Sequence, residues 1–294
     1  MPDYIVKATA GNGQIRVFAA TTRDIAETAR NIHQTSPVVT QALGRLLTAG
    51  SLMGSMMKND DELITLKVAG DGPMSGLLVT ADAKGNVKGY PYVHDLGDTM
   101  ASPIPVSEAI GGGALNILKD IGLREPYVGY SPLISGELAE DLTYYYAQSE
   151  QIPTSVSLGV LLNDDGTVRQ AGGFIIQLMP DTDEEVIDAL EDALANTPSL
   201  TKLLDEGQTL EAIMTDLFKN LNLKVSSTEI TRFICDCSRQ RITKALVSIG
   251  KEDLIDMISD HEDIEINCDF CREKHVFSPT DLQSILNRIE ENEG

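Results

Sequence analysis

The chain has 294 residues, of which 42% are hydrophobic and 23% charged, enough apolar material for one large domain or two smaller ones with real cores. Its 23 Lys+Arg against 45 Asp+Glu give a formal charge of −22. That balance repels both a phosphate backbone and an anionic bilayer, so neither nucleic acid nor membrane is expected as a partner. The opening residues, MPDYIVKATAGNG, carry an early Asp3 and no apolar h-region, so no signal peptide is expected. The most apolar run, Leu46 to Met57, is too short to span a bilayer. A cytoplasmic protein is the expectation.

In chain order, Tyr4–Ala8 and Gln14–Ala19 alternate like a hairpin around Gly11-Asn12-Gly13. A helix is predicted from about Asp24 to His33. Ser36 and Pro37 read as an N-cap and an N1 proline opening a second helix that runs to about Lys58. Gly44, Ala49, Gly50 and Gly54 leave that helix slim, while its leucines and methionines wrap it nearly all round, which marks a buried helix. Its methionines read as core filler. Strands are predicted at Glu62–Val68, Gly76–Ala81 and Val87–Tyr92, with weaker patterns at Gly111–Lys119 and Tyr127–Ser131. Gly136–Gln151 reads as an amphipathic helix. Ser155–Leu162 and Val168–Leu178 flank the hairpin signal Asn163-Asp164-Asp165-Gly166. The expected fold class is therefore α+β, with a largely antiparallel sheet and packed helices over residues 1–180.

At Pro180 the pattern changes. Asp181 and Glu184 form a capping-box-like start, and Val186, Leu190 and Leu194 recur at helical spacing. Pro198 and Gly207 break the run into short helices, which are marginal alone and need a surface to dock on. Residues 181–231 thus read as a helical linker rather than a second core. From 232 to 294 the prediction is helix over Ser238–Ile249 and Lys251–Ser259, a short strand at Ile264–Asn267, and a last helix opened by Ser278 or Pro279. So small a module rarely folds on its own core alone, and a metal is the usual remedy.

All four cysteines lie in that module: Cys235, Cys237, Cys268 and Cys271. In a reducing compartment such a cluster reads as metal-binding or redox-active thiols rather than a disulfide framework. Four thiolates suit tetrahedral Zn2+, and pairs from two loops are the common way to supply them. The C-x-C pair needs a turn to bring both sulfurs onto one metal. His261 and His275 lie nearby in sequence and could replace one ligand, but four thiols make that substitution unnecessary, and His275 reads as a surface or packing residue. The spacing alone is satisfied by a purely structural zinc site. Two features point past it. The charged neighbours Asp269, Arg272, Glu273 and Lys274 leave Cys268 and Cys271 within reach of oxidants, and each pair can close on itself as a local disulfide.

With these motifs in view, the chain resembles, over essentially its whole length, the thirty-three-kilodalton heat shock protein family, the bacterial redox-regulated holdase chaperones. The C-x-C and C-x-x-C pairs match that family's zinc motif. SPVVTQALGR (36–45), GDGPMSGLLVTADAKGNVKGY (70–90), GELAEDLTYYYAQSEQ (136–151) and AGGFIIQLMP (171–180) extend the likeness into the core. The resemblance implies that Cys235, Cys237, Cys268 and Cys271 bind one zinc per chain while reduced, and that the protein is then inactive. Peroxide or hypochlorite, under unfolding conditions, would form Cys235–Cys237 and Cys268–Cys271 disulfides and expel the metal. The linker would then unfold, the chain dimerise, and unfolded clients be held without ATP. Residues 232–294 become, on that view, a zinc-binding redox-switch domain.

Magnitudes permit such a switch. A structural thiolate zinc site contributes about 10–16 kcal/mol, whereas moving a two-state equilibrium from about 1:99 to 99:1 takes about 5.5 kcal/mol. Other motifs are weak. Gly70-Asp71-Gly72 and Gly111-Gly112-Gly113 lack a following phosphate-loop Lys-Ser/Thr and read as turns, while His94-Asp95 has no nucleophile context and His33 reads as a packing or surface residue. No enzyme site is expected in the core. Two readings compete with the holdase. A thiol–disulfide oxidoreductase would want C-x-x-C at a helix start in a βαβ setting, and an adaptor with a purely structural zinc site would act independently of redox state.

Overall fold

The computed structural model describes residues 2–293, which divide into two compact units meeting between Ile234 and Cys235. In the first unit the chain opens with strands β1 (Tyr4–Ala10) and β2 (Ile15–Thr21), then helices α1 (Arg23–His33) and α2 (Pro37–Gly54). Strands β3 (Leu63–Gly70), β4 (Gly76–Asp82) and β5 (Val87–Pro91) follow, then α3 (Val106–Ile110), β6 (Gly113–Asp120), β7 (Tyr127–Pro132) and α4 (Leu138–Tyr145), the last continuing as a π turn over 146–150. The long hairpin β8 (Thr154–Leu162) and β9 (Val168–Leu178) leads into α5 (Glu184–Asn196), α6 (Leu200–Asp205), α7 (Leu210–Leu217) and β10 (Lys224–Ile230).

Two five-stranded antiparallel sheets result, ordered β10-β1-β2-β9-β8 and β5-β4-β3-β6-β7. The fold is α+β. The uniformly apolar α2 is indeed buried, contacting strands of both sheets. Close approach explains its glycines: a Cβ on Gly44 would stand 2.8 Å from Val160, and one on Gly50 would stand 2.6 Å from Val79. The helix ends at Gly54, short of Lys58, and Met53 is buried while Met56 and Met57 pack at the core's margin. Ser36 stands at the N-cap of α2 with Pro37 at N1, as expected, but its side chain makes no capping bond. Its Oγ accepts from Leu96 N at 3.2 Å, and the Asp98 carboxylate takes Val38 N at 2.8 Å instead.

The first sheet is buried on both faces, and here the structure corrects the linker expectation. Ile5, Phe18 and Ala20 point toward α2, whereas Val6, Ala8, Ile15, Val17 and Ala19 point away. Onto that second face pack Leu190, Leu200, Leu203, Leu204, Leu210, Ile213, Met214, Leu217 and Phe218, so α5–α7 and the sheet build a second core. Periodicity registered the helices' leucines but not that β1 and β2 are apolar on both faces. Residues 224–230, expected as helical linker, form the edge strand β10, paired to β1 and tied by Lys7–Glu229 at 3.0 Å. Asp181 sits at φ +61 and does not cap; α5 begins at Glu184, with Asp183 fastened to Gln14 at 2.7 and 2.9 Å. Beyond β10 the chain is stitched to the second sheet: Thr231 Oγ1 donates to Gly85 O, Val87 N donates to Arg232 O at 2.9 Å, and Ile234 N donates to Val87 O at 3.0 Å.

The second unit holds α8 (Arg239–Ile249), α9 (Lys251–Ser259), the hairpin β11 (Ile264–Asn267) and β12 (Lys274–Phe277), and α10 (Pro279–Glu293). Its core gathers Leu246, Leu254, Phe277, Leu282 and Ile285. Ser278 and Asp281 satisfy each other's backbone N–H groups at 2.9 and 3.2 Å, starting α10 where the sequence placed it. No helix among the described residues is long and apolar enough to cross a membrane.

Candidate metal centre

Cys235 and Cys237 lie in irregular chain immediately before α8, whose N-cap Ser238 Oγ accepts from Arg241 N at 3.3 Å. Cys268 and Cys271 sit in the β11–β12 turn. That turn is closed by Arg272 N donating to Cys268 O at 2.8 Å and Cys268 N donating to Glu273 O at 2.9 Å, with Arg272 left-handed at φ +62. Two unrelated pieces of local structure thus aim four thiols at one point.

The Sγ atoms of Cys235 and Cys268 are 3.7 Å apart, those of Cys237 and Cys271 are 3.3 Å apart, and all four lie within 4.8 Å of one another. A tetrahedral ion with metal–sulfur bonds of about 2.3 Å requires sulfur–sulfur edges of about 3.8 Å. The donor set and its spacing fit one metal ion. Cys268 is buried and the other three are half-buried, so Cys268 is less open than its charged neighbours suggested.

The thiols' acidities reflect their crowding. Burial pushes Cys235 up to about 11. It raises Cys237 as well, with the Cys271 thiol and the Glu273 carboxylate adding to the effect. At Cys268 burial again acts upward, but N–H groups of Cys271 and Phe270 aim at the sulfur, and the net shift is downward. Four adjacent thiols cannot all ionise in the absence of a cation; a divalent ion inverts that balance and releases their protons.

A feature the sequence reading missed surrounds Cys237. Its Sγ lies 3.2 Å from Glu273 Oε2, and donor atoms of Cys237, Glu273 and His275 also fall within 4.8 Å of one another. His275 is buried on β12 beside Phe277, and its Nε2 has no hydrogen-bond partner. The alternation of Lys274–Phe277, burying every second residue, was the available signal. His261, just beyond α9, belongs to neither cluster. Elsewhere, His33 is buried with Nε2 3.0 Å from Gly89 O, and Asp71 accepts from Gly112 N at 2.7 Å, fastening the two glycine turns together.

The chain matches the family described as Hsp33 protein over residues 3–278. It is 52% identical over 290 residues to a protein of Lachnoclostridium phytofermentans named 33 kDa chaperonin, covering 98% of this chain and 99% of that one. A protein of the same name from Clostridioides difficile is 47% identical over 293 residues, covering 98% and 100%. The crystal structure of the 33 kDa chaperonin (heat shock protein 33 homologue) of Thermotoga maritima superposes with a TM-score of 0.87 at 32% identity, over 99% of this chain and 100% of that one. Fold, length and the family match agree: the chain belongs to the Hsp33 family.

Proposed function

We propose that this chain is a redox-regulated, ATP-independent holdase chaperone, without catalytic turnover, acting in the cytoplasm under oxidative and heat stress. The observation that carries the reading is the gathering of four free thiols within 4.8 Å in a small unit of a chaperone-family chain. Reduced, Cys235, Cys237, Cys268 and Cys271 hold one Zn2+. Oxidation to Cys235–Cys237 and Cys268–Cys271 disulfides removes every ligand of that site, the ion leaves, and the second unit loses its main support.

Residues 181–231 act as the latch. Their helices have a single surface to pack on, α5 buries only Leu190, and β10 leaves Val225 and Ile230 exposed. Their release uncovers the apolar face of β1 and β2, which binds unfolded chains and favours a homodimer, while the charge of −22 keeps the complexes soluble. An oxidoreductase is disfavoured because the C-x-x-C pair follows β11 and turns into β12 rather than opening a helix.

Light scattering from a thermally unfolding client tests the reading. Oxidised protein should suppress scattering without nucleotide, and return to thiol and zinc should abolish suppression. Equal suppression by the reduced, zinc-loaded form would reduce the proposal to a constitutive chaperone.

A further inference from the structure

We propose that Arg239 is a positioning residue of the metal centre: its guanidinium clamps the C-x-C arm to the half of the unit that carries Cys268 and Cys271, and so sets how tightly the four thiols hold their ion. The inference rests on the four-thiol reading of the centre and deepens it. Residues 238–267 separate the two thiol pairs, and bringing both pairs onto one ion costs chain entropy. A contact that already joins the two halves lowers that cost. Arg239 makes three. It is the first residue of α8, two places beyond Cys237, so whatever fixes its side chain fixes the end of the arm. Its guanidinium carbon stands 4.2 Å from the centre of the Phe277 ring, Nη1 donates to Val276 O, and Nη2 lies 2.8 Å from Asp281 Oδ2.

All three partners belong to the other half and are themselves held. Val276 and Phe277 end β12, whose pairing with β11 carries the Cys268–Cys271 turn at its far end, and Phe277 is buried in the unit's core. Asp281, in the first turn of α10, accepts from Ser278 N at 2.9 Å and from Ser278 Oγ at 2.8 Å. Those bonds, with Arg239 adding to them, hold its carboxyl below the usual carboxylate range. On the arm itself, Arg241 pairs with Asp236, the residue between Cys235 and Cys237, which ties the arm to α8. The line of contacts therefore runs from the arm through α8 to β12 and α10. An exposed ion pair alone contributes little, and the Arg239 and Asp281 side chains are 49% and 45% exposed. What distinguishes Arg239 is its planar fork, which stacks on a ring and donates in two directions at once, as a lysine cannot.

Zinc competition against a chromophoric chelator, on the full-length reduced chain, is the first measurement. Arg239→Ala should lower zinc affinity about 10–100-fold, the usual loss when a group that orients a ligand is removed. Arg239→Lys should recover part of that loss. Lys274→Gln breaks the comparably exposed Lys274–Glu265 pair, 2.6 Å long and confined to the β11–β12 hairpin, and should leave affinity unchanged. Lower affinity would also follow from a less stable unit, so the second measurement is positional. The C-x-x-C turn is closed by its own backbone hydrogen bonds, so loosening the clamp frees the C-x-C arm first. Alkylation of the zinc-loaded Arg239→Ala chain, followed cysteine by cysteine by mass spectrometry, should quicken several-fold more at Cys235 and Cys237 than at Cys268 and Cys271.

Where Arg239→Ala folds poorly, Arg239→Lys carries the same comparison, with smaller changes at the same two cysteines. Equal quickening at all four cysteines would overturn the clamp and leave Arg239 as a general stabiliser of the unit. Unchanged affinity and labelling would overturn it too, reducing Arg239 to a surface ion pair. A wild-type chain that binds no zinc would instead sink the reading of the centre itself.

Discussion

The two units of this chain solve the same problem by opposite means. Up to Ile234, stability comes from layers: α2 lies between two sheets, and α5–α7 cover the outer face of one of them, so most large apolar side chains find apolar neighbours on every side. From Cys235 onward, the apolar core is a cluster of five buried residues, and four thiols converge beside a two-stranded hairpin. A core that small supplies only a few kcal/mol, about 3–5 at best, whereas a thiolate-bound ion supplies about 10–16 kcal/mol. On the proposed reading the second unit responds to redox state directly, and the first responds only through residues 181–231. A small metal-dependent unit of this kind can lose its fold without dragging the whole chain down.

The largest expected effect sharpens that contrast. Stripping metal from the reduced chain with a chelator should remove hydrogen-exchange protection from residues 235–293 first and then from 181–231. The α2 amides should stay protected. Uniform loss across both units would break the comparison and point to one cooperative block; full protection in the second unit would show that its five-residue core suffices.

The next effect starts in the first unit. Phe218, at the end of α7, is 1% exposed and sits within the second core. Phe218→Ala should lower that unit's stability by about 3–5 kcal/mol, the usual range for deleting a buried aromatic. Zinc affinity of the same variant should fall as well, because a latch that zinc stabilises must in turn favour zinc binding. Urea unfolding monitored alongside metal competition checks both halves, and an unchanged zinc affinity would show that the latch and the metal site are uncoupled.

How much of this was legible in the sequence follows from the range of the forces involved. Helix and strand periods are local, so α1, α2, the β8–β9 hairpin and the start of α10 could be located to within a few residues. The cysteine spacing likewise carried the gathering of Cys235, Cys237, Cys268 and Cys271. What escaped depends on partners distant in the chain. Strand β10 has an undistinguished sequence, KVSSTEI, and is a strand because β1 offers it an open edge. Ser36 holds the cap position, but Asp98, far along the chain, takes the amide that Ser36 would have served. His275 is buried because β12 turns its alternate side chains inward, and only three dimensions bring it near Cys237.

The smallest effect concerns proton linkage and pulls the units in opposite directions. Asp3 is buried at the start of β1, and its carboxylate accepts from Ile25 N at 2.8 Å in the first turn of α1. Burial pushes its pKa up to about 6 from 3.8; the neighbouring Asp24 charge adds to this, and the α1 amides oppose it. Because the folded form binds this proton more tightly than the unfolded form, stability is greatest below the unfolded value. It declines as pH rises through about 6. About two pKa units correspond to at most about 3 kcal/mol, reduced by residual solvent and by the helix-end hydrogen bond.

Asp3→Asn keeps the acceptor oxygen and removes the ionisation. Urea midpoints across about pH 4 to 7 should therefore fall more for the wild type than for the variant, while Asp141, also raised by burial, titrates in both and cancels. Parallel profiles would mean that Asp3 is solvated in solution. In the second unit protons act the other way, since they compete with metal for the thiolates, so acidification should weaken zinc binding over the range that relieves Asp3. A mildly acidic, reducing buffer should thus strengthen the first unit while loosening the second, separating their melting transitions without any oxidant.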